Sequence, residues 1–279
     1  MPDLFALEFV RSALLVTIIM GLLLAYLGTH VVGRGIVFVD LALGQISMLG
    51  VAVAAYLALE PTTVSMVFTL VGALLMSFIK VTDKRLKQEA IIGILYAVSS
   101  ALTVLLISKA AHGDSDIQEV LFGSLFTVTD SEITSMAIVF GILGVVHFIF
   151  RRQFFELTEK FGNREIDDVG SFNLWNFLFY ISIGLAIVLA VNVGGVIPVF
   201  SFLVVPPVSA ILITQSKIAL IPLTLALSAL GGFWGIYFSV QFDFPAGSSV
   251  VAMLGVVFAL ASIVRLVRGK AEPAGSSKT

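Results

Sequence analysis

Cysteine is absent from the 279 residues, which excludes disulfides and thiolate metal sites. Charge is scarce. Asp, Glu, Lys and Arg make up 12% of the chain, against about 25% in soluble domains. A soluble chain with 58% hydrophobic residues could not cover its surface with polar groups. No basic surplus points to nucleic acid, because the formal net charge is −2. The sequence lacks H-E-x-x-H, G-x-S-x-G and the phosphate-gripping G-x-x-x-x-G-K-[ST]. No enzyme constellation is legible, and any ATP that drives this chain must be bound by another. The opening M-P-D-L-F-A-L-E carries no positive segment before the first apolar run. That run reads as a retained span rather than a cleaved signal peptide.

What is present is a series of long apolar runs, each close to the ~20 residues that cross a bilayer as a helix. Nine candidates lie near 9–31, 36–58, 62–80, 90–109, 132–150, 175–192, 195–214, 218–238 and 248–266. Runs six and seven are parted by little more than Val193-Gly194-Gly195, so eight or ten spans stay open. The expectation is an all-α polytopic membrane protein of about eight to nine transmembrane helices. A single transmembrane domain would cover 1–270, with 271–279 a disordered tail.

Orientation follows from the positive-inside bias. With the N-terminus outside, the inside segments hold 14 of the 16 basic residues, among them Arg34, Lys84, Arg151, Lys217 and Arg268. The outside keeps Arg11 and Lys109. The C-terminus is then cytoplasmic. Two segments are neither span nor plain loop. Residues 110–131 lie outside, with an apolar second half too short to cross, which suits a re-entrant or interfacial helix. Residues 151–174 lie inside and mix charge with Phe154, Phe155, Leu157, Phe161 and Ile166. That pattern fits a short amphipathic element docking on a partner, or a solvated loop with anchoring aromatics.

Two spans carry candidate chemistry. Asp40 is the one acidic residue clearly inside a run. A charge there costs at least ~2.5–3.5 kcal/mol, so it normally faces a bundle interior or an aqueous path. Gly44 and Ser47 extend a small, polar stripe from it, while Gln45 lies about 140° around the helix. The bland reading is an aspartate that snorkels or caps. The seventh run holds Pro198, Pro206 and Pro207. Proline removes an N–H and kinks a helix, and Ser201 and Ser209 could supply hydroxyls to the freed carbonyls. This reads as a broken helix lining a path, or as a packing kink. His30, His112 and His147 are far apart in sequence and read as structural.

Four stretches in order resemble the membrane subunits of zinc/manganese/iron ABC importers. They are V-V-G-R-G-I-V-F-V-D-L-A-L-G-Q-I-S-M-L-G-V-A at 31–52, K-Q-E-A-I-I-G-I-L-Y-A at 87–97 and L-F-G-S-L-F-T-V-T at 121–129. The fourth is the pair S-F-L-V-V-P-P-V-S-A at 201–210 and D-F-P-A-G-S-S-V-V at 243–251. The resemblance covers about residues 8–268. It implies a type II ABC importer-like bundle, in a bacterial inner membrane, that carries a divalent metal ion as cargo and binds no cofactor. A homodimer would form the path, with a cytoplasmic ABC ATPase and an extracytoplasmic substrate-binding protein as partners. The path would be marked by Asp40, Gln45, Ser47, Ser201, Pro206 and Ser209, with Asp40 meeting the metal. Phe161, Glu165, Asp167, Asp168 and Gly170 would couple to the ATPase. One departure matters. The family's span carries Asp and His four residues apart, and those positions here hold Leu41 and Gln45. Either Asp40 rotates into the role, or the path has no histidine stop. A stand-alone secondary transporter and an ABC permease for a non-metal solute remain the alternatives.

Overall fold

The computed structural model describes residues 7–79, 87–108, 125–162 and 173–271, except for the side chains of 269–271. Among these residues the chain is helical throughout, without a strand. The elements are α1 (Glu8–Arg34), α2 (Val39–Leu57), α3 (Pro61–Phe78), α4 (Gln88–Ile107) and α5 (Asp130–Ile149). They continue with α6 (Arg151–Gly162), α7 (Leu174–Gly194), α8 (Val196–Ile213), α9 (Lys217–Phe242) and α10 (Ala246–Ala271). Among the described residues nine helices are long and apolar enough to cross a membrane, all but α6. Runs six and seven are therefore two helices. Gly195 separates them at φ 78° and ψ 161°, a conformation open to glycine and costly for any side chain.

Local signals set the helix ends. Gly35 closes α1 in the left-handed conformation and donates to the carbonyls of Val31 and Val32. Thr129 and Glu132 form a capping box at the start of α5. Asn173 and Ser216 accept from the first-turn amides of α7 and α9. Glu60 caps α3, its carboxylate accepting from the amides of Thr62 and Thr63, with Pro61 at the first position.

Contacts between ends show how the helices alternate. Arg34 at the end of α1 bonds Asn176 at the start of α7. Asn176 also donates to the carbonyl of Ser77 at the end of α3. Gln88, at the start of α4, donates to Tyr180 of α7. Lys217, at the start of α9, pairs with Glu159 of α6. Arg268 of α10 donates to Ile213, the last carbonyl of α8, which suits a cation at a helix C-terminus. These contacts gather at one end of the bundle, called here the basic end. Helices α1, α7 and α8 are the most buried, and α4 and α10 the least. The segments 163–172 and most of 110–131 lie outside the described residues.

The Glu60 cap has a pH signature. Hydrogen bonds from Thr63 and then Thr62 hold its carboxyl down, from an ordinary 4.5 to about 2. A depressed carboxyl stabilises the fold above pH 4.5 and loses that contribution as pH falls toward 2. Glu60→Gln should flatten the acid dependence of the thermal midpoint between those values, measured on the purified protein in detergent.

Candidate functional site

Asp40 sits in the first turn of α2, only 2% exposed. Neither carboxylate oxygen meets a hydrogen-bond donor among the described residues. It does not snorkel, and it does not cap, because Phe38 is the N-cap and no side-chain bond closes that turn. Gly44 and Ser47 are buried on the same stripe. A Cβ on Gly44 would lie 3.7 Å from Val196 and 4.0 Å from Val191. By helical phase the Asp40 stripe therefore faces the junction of α7 and α8. Gln45 lies on a different face, half-buried with Leu41 and Met48. The structure brings Asp40 and Ser47 onto one side of α2 and leaves Gln45 off it.

The prolines of α8 do not break it, since the helix runs uninterrupted from Val196 to Ile213, and its serines do not serve the carbonyls the prolines free. Pro198 falls in the first turn, where its missing N–H has no carbonyl to leave vacant. Pro206 and Pro207 are interior and withdraw the i+4 donors of Phe202 and Leu203. Ser201 donates to Ile197 instead, and the buried Ser209 hydroxyl has no partner among the described residues. The compensation comes from another helix. A Cβ added at Gly28 of α1 would lie 1.8 Å from the Leu203 oxygen and 3.1 Å from Pro207 Cγ. The bare Cα of Gly28 thus rests directly on the freed carbonyl. Such Cα–H···O contacts are worth about 0.5–1 kcal/mol each. One turn and more above, the Phe202 ring packs into the gap left by Gly21 and Gly232.

The basic end of the bundle holds a buried polar cluster. Thr158 of α6 gives its hydroxyl hydrogen to the carbonyl of Phe154. With one hydrogen to give, the same oxygen can only accept from Arg34 Nε at 3.3 Å and from His30 Nδ1 at 2.8 Å. The network thereby assigns the His30 proton to Nδ1, and Nε2 faces the Tyr26 hydroxyl at 3.3 Å. Arg34 Nη1 donates to Asn176 at 3.1 Å. Its guanidinium lies over Phe179 at 3.7 Å and over Phe161 at 5.3 Å, a cation–π contact on each side. His147 of α5 stacks on Phe154, with ring centroids 4.0 Å apart and planes at 7°. Phe154, Leu157 and Thr158 are buried, while Arg151, Arg152, Glu156, Glu159 and Lys160 are exposed.

The amphipathic pattern of 151–162 therefore has a use inside the chain. Its apolar face docks on α1, α5 and α7 rather than on a partner, and only its charged face is free. Phe161 is half-buried against Arg34. Glu165, Asp167, Asp168 and Gly170 lie outside the described residues. In sequence, Arg34 reads as a topological charge and His30 as isolated. Yet Tyr26, His30 and Arg34 recur every four residues and so share one face of α1, which was the available signal. Thr158, His147 and Asn176 carried none. At the opposite end, a cleft of about 330 Å³ opens between α2, α3, α5 and α7, lined among others by Thr62, Glu132, Ser135 and Asn192.

Among the described residues, a bundle of nine membrane-length helices, with one buried unpartnered carboxylate and a proline-containing helix beside it, fits a multi-span membrane permease. The chain belongs to the ABC 3 transport family, whose model matches residues 6–265. It is 24% identical to the manganese transport system membrane protein MntC of Listeria monocytogenes, over 91% of this chain and 90% of that one. It is 26% identical to the manganese import system permease protein ScaB of Streptococcus gordonii, over 90% and 89%. A Haemophilus influenzae protein named "Probable iron transport system membrane protein" is 26% identical over 92% and 90%. Its fold is similar to that of PsaBC from Streptococcus pneumoniae, solved in complex with Fab, with a TM-score of 0.77, 24% identity, and 96% and 98% of the chains covered.

The α1–α8 contact is open to test. Gly28→Ala should cost about 1–3 kcal/mol of stability, as overpacking does. Gly93→Ala and Gly141→Ala, where nothing lies within 4 Å of the added carbon, should not destabilise. Thermal unfolding of the three variants in detergent separates the cases.

Proposed function

We propose that this chain is the permease subunit of an ATP-driven importer of divalent metal ions, and that two copies enclose the path. The observation that carries the reading is Asp40, a carboxylate buried without a partner in a chain of this transport family. An unpaired buried charge is costly unless something compensates it, and a passing cation would do so. The names of the manganese and iron relatives supply the cargo class. Among the described residues no three His, Asp or Glu side chains gather into a metal cage.

ATP hydrolysis belongs to a separate cytoplasmic ATPase, since the chain has no phosphate-gripping sequence. The ATPase docks on the exposed face of α6, on Phe161 and on the following Glu165, Asp167, Asp168 and Gly170. The basic end faces the cytoplasm of a bacterial inner membrane, and the C-terminus lies there. An extracytoplasmic binding protein delivers the ion at the other end, where the polar cleft opens.

Purification of the tagged chain should bring a soluble ATPase with it, and reversing the charges of Glu165, Asp167 and Asp168 should release it. Manganese(II) uptake into vesicles should require ATP. Asp40→Asn should lower that uptake by at least about tenfold, a loss of 1.4 kcal/mol or more. The same variant should leave the thermal midpoint equal or higher, because it removes an unpartnered carboxylate. Wild-type uptake in Asp40→Asn would reduce Asp40 to a packing residue. Uptake by the chain alone, without ATP, would favour a secondary transporter.

A further inference from the structure

The docking helix and the proline-containing helix α8 are joined by one element. Thr158 of α6 ties to Arg34 and His30 near the end of α1. Gly28 lies six residues before Arg34, or about 9 Å along the same helix. There α1 meets α8 backbone to backbone, at the carbonyl freed by Pro207. The α6–α1 contact is just as close. A Cβ on Gly33 would lie 2.7 Å from Thr158 Cγ2, and one on Gly162 would lie 2.7 Å from the Gly33 oxygen. Arg34 is held by Thr158, Asn176, Phe161 and Phe179. At the glycine contacts of both joints the backbone leaves little room to absorb a displacement. Interfaces packed this closely transmit movement as rigid bodies rather than by gradual deformation.

We propose that Thr158, Arg34 and Gly28 are positioning residues that make α6, the basic half of α1 and the proline-containing segment of α8 move as one body. Movement imposed on α6 is then delivered to the segment around Pro206 and Pro207. The inference rests on the reading that an ATPase acts on α6, and it adds the route by which that action reaches the path. The route is through α1, not through α7, although Asn176 touches the same arginine.

The chain contains no cysteine, so an introduced pair can form one disulfide only. Thr158→Val removes the shared hydroxyl at nearly constant shape. With the ATPase that copurifies with the chain, manganese(II) transported per ATP hydrolysed should fall about tenfold, within the range of known coupling free energies. Thr158→Ser keeps the hydroxyl and should stay within about twofold of the wild type. A merely structural role would lower ATPase association and uptake together, without changing their ratio. The Gly33→Cys/Thr158→Cys pair provides the decisive arm. Reduced, it should be uncoupled like Thr158→Val. Oxidised, a covalent link replaces the lost hydrogen bonds, and transport per ATP should recover. If oxidation instead abolishes uptake while hydrolysis continues, α6 works by moving against α1 and the proposal is overturned. It is equally overturned if Thr158→Val transports per ATP as well as the wild type. ATP-dependent uptake by the unmodified chain is measured alongside, and its failure would count against the proposed function rather than against the route through α1.

Discussion

A carbonyl inside a membrane helix needs a donor, and hydrocarbon provides none. Pro206 and Pro207 remove two donors from the middle of α8, so the helix can exist only where a neighbour takes their place. For the Leu203 carbonyl, Gly28 is that neighbour. Its missing side chain brings the α1 backbone against the Leu203 oxygen, and this contact fixes the approach of the two helices at the centre of the bundle. Phe202 can then fill the space between Gly21 and Gly232, which draws α9 onto the same pair. The small residues of α1 and α9 follow from the need to reach α8 closely, as in other membrane bundles. Prolines and glycines that read as separate features in sequence are two sides of one constraint.

The spans were legible because bilayer thickness leaves a signal that a single run reveals without its neighbours. The nine runs match the nine helices within a few residues, and Gly195 resolves the one ambiguity through its backbone angles. The class of protein was legible through ordered motifs. Contacts between distant segments were not. Thr158 and Arg34 are separated by 124 positions, and nothing in the sequence of α6 says that its hydroxyl turns inward. The amphipathic pattern of 151–162 was visible, but amphipathicity does not name the surface it covers. Here that surface is the chain's own α1. The serines of α8 were misread for a related reason. A hydroxyl on a helix reaches the carbonyl of residue i−4, so Ser201 reaches Ile197 and cannot reach Phe202 or Leu203. Spacing alone should have excluded that assignment.

The charged groups of the basic end fall into two kinds. Arg152–Glu156 and Lys217–Glu159 are solvent-facing pairs, and such pairs contribute about 0–1 kcal/mol. Arg34 is different. It is 7% exposed and held by two hydrogen bonds and two aromatic rings, without a carboxylate beside it among the described residues. A buried cation held in this way depends on all these contacts at once, and they come from α6 and α7. The cluster therefore makes the seating of α6 cooperative with the packing of α1 against α7. The outward side of α6 keeps its charges exposed to solvent, while its inward side cannot shift without disturbing Arg34.

The two faces of α2 bear on the choice of cargo. Asp40 and Ser47 turn toward the α7–α8 junction, while Leu41, Gln45 and Met48 occupy a half-exposed face. On the proposed reading, an ion passing along either face meets oxygen donors: a carboxylate and a hydroxyl on one, an amide oxygen on the other. Zinc favours imidazole and thiolate, whereas manganese is at home with carboxylate, carbonyl and water. A path built from oxygen donors would retain zinc poorly and would exchange manganese readily. On that reading the missing histidine bears on which divalent metal passes and does not argue against a metal.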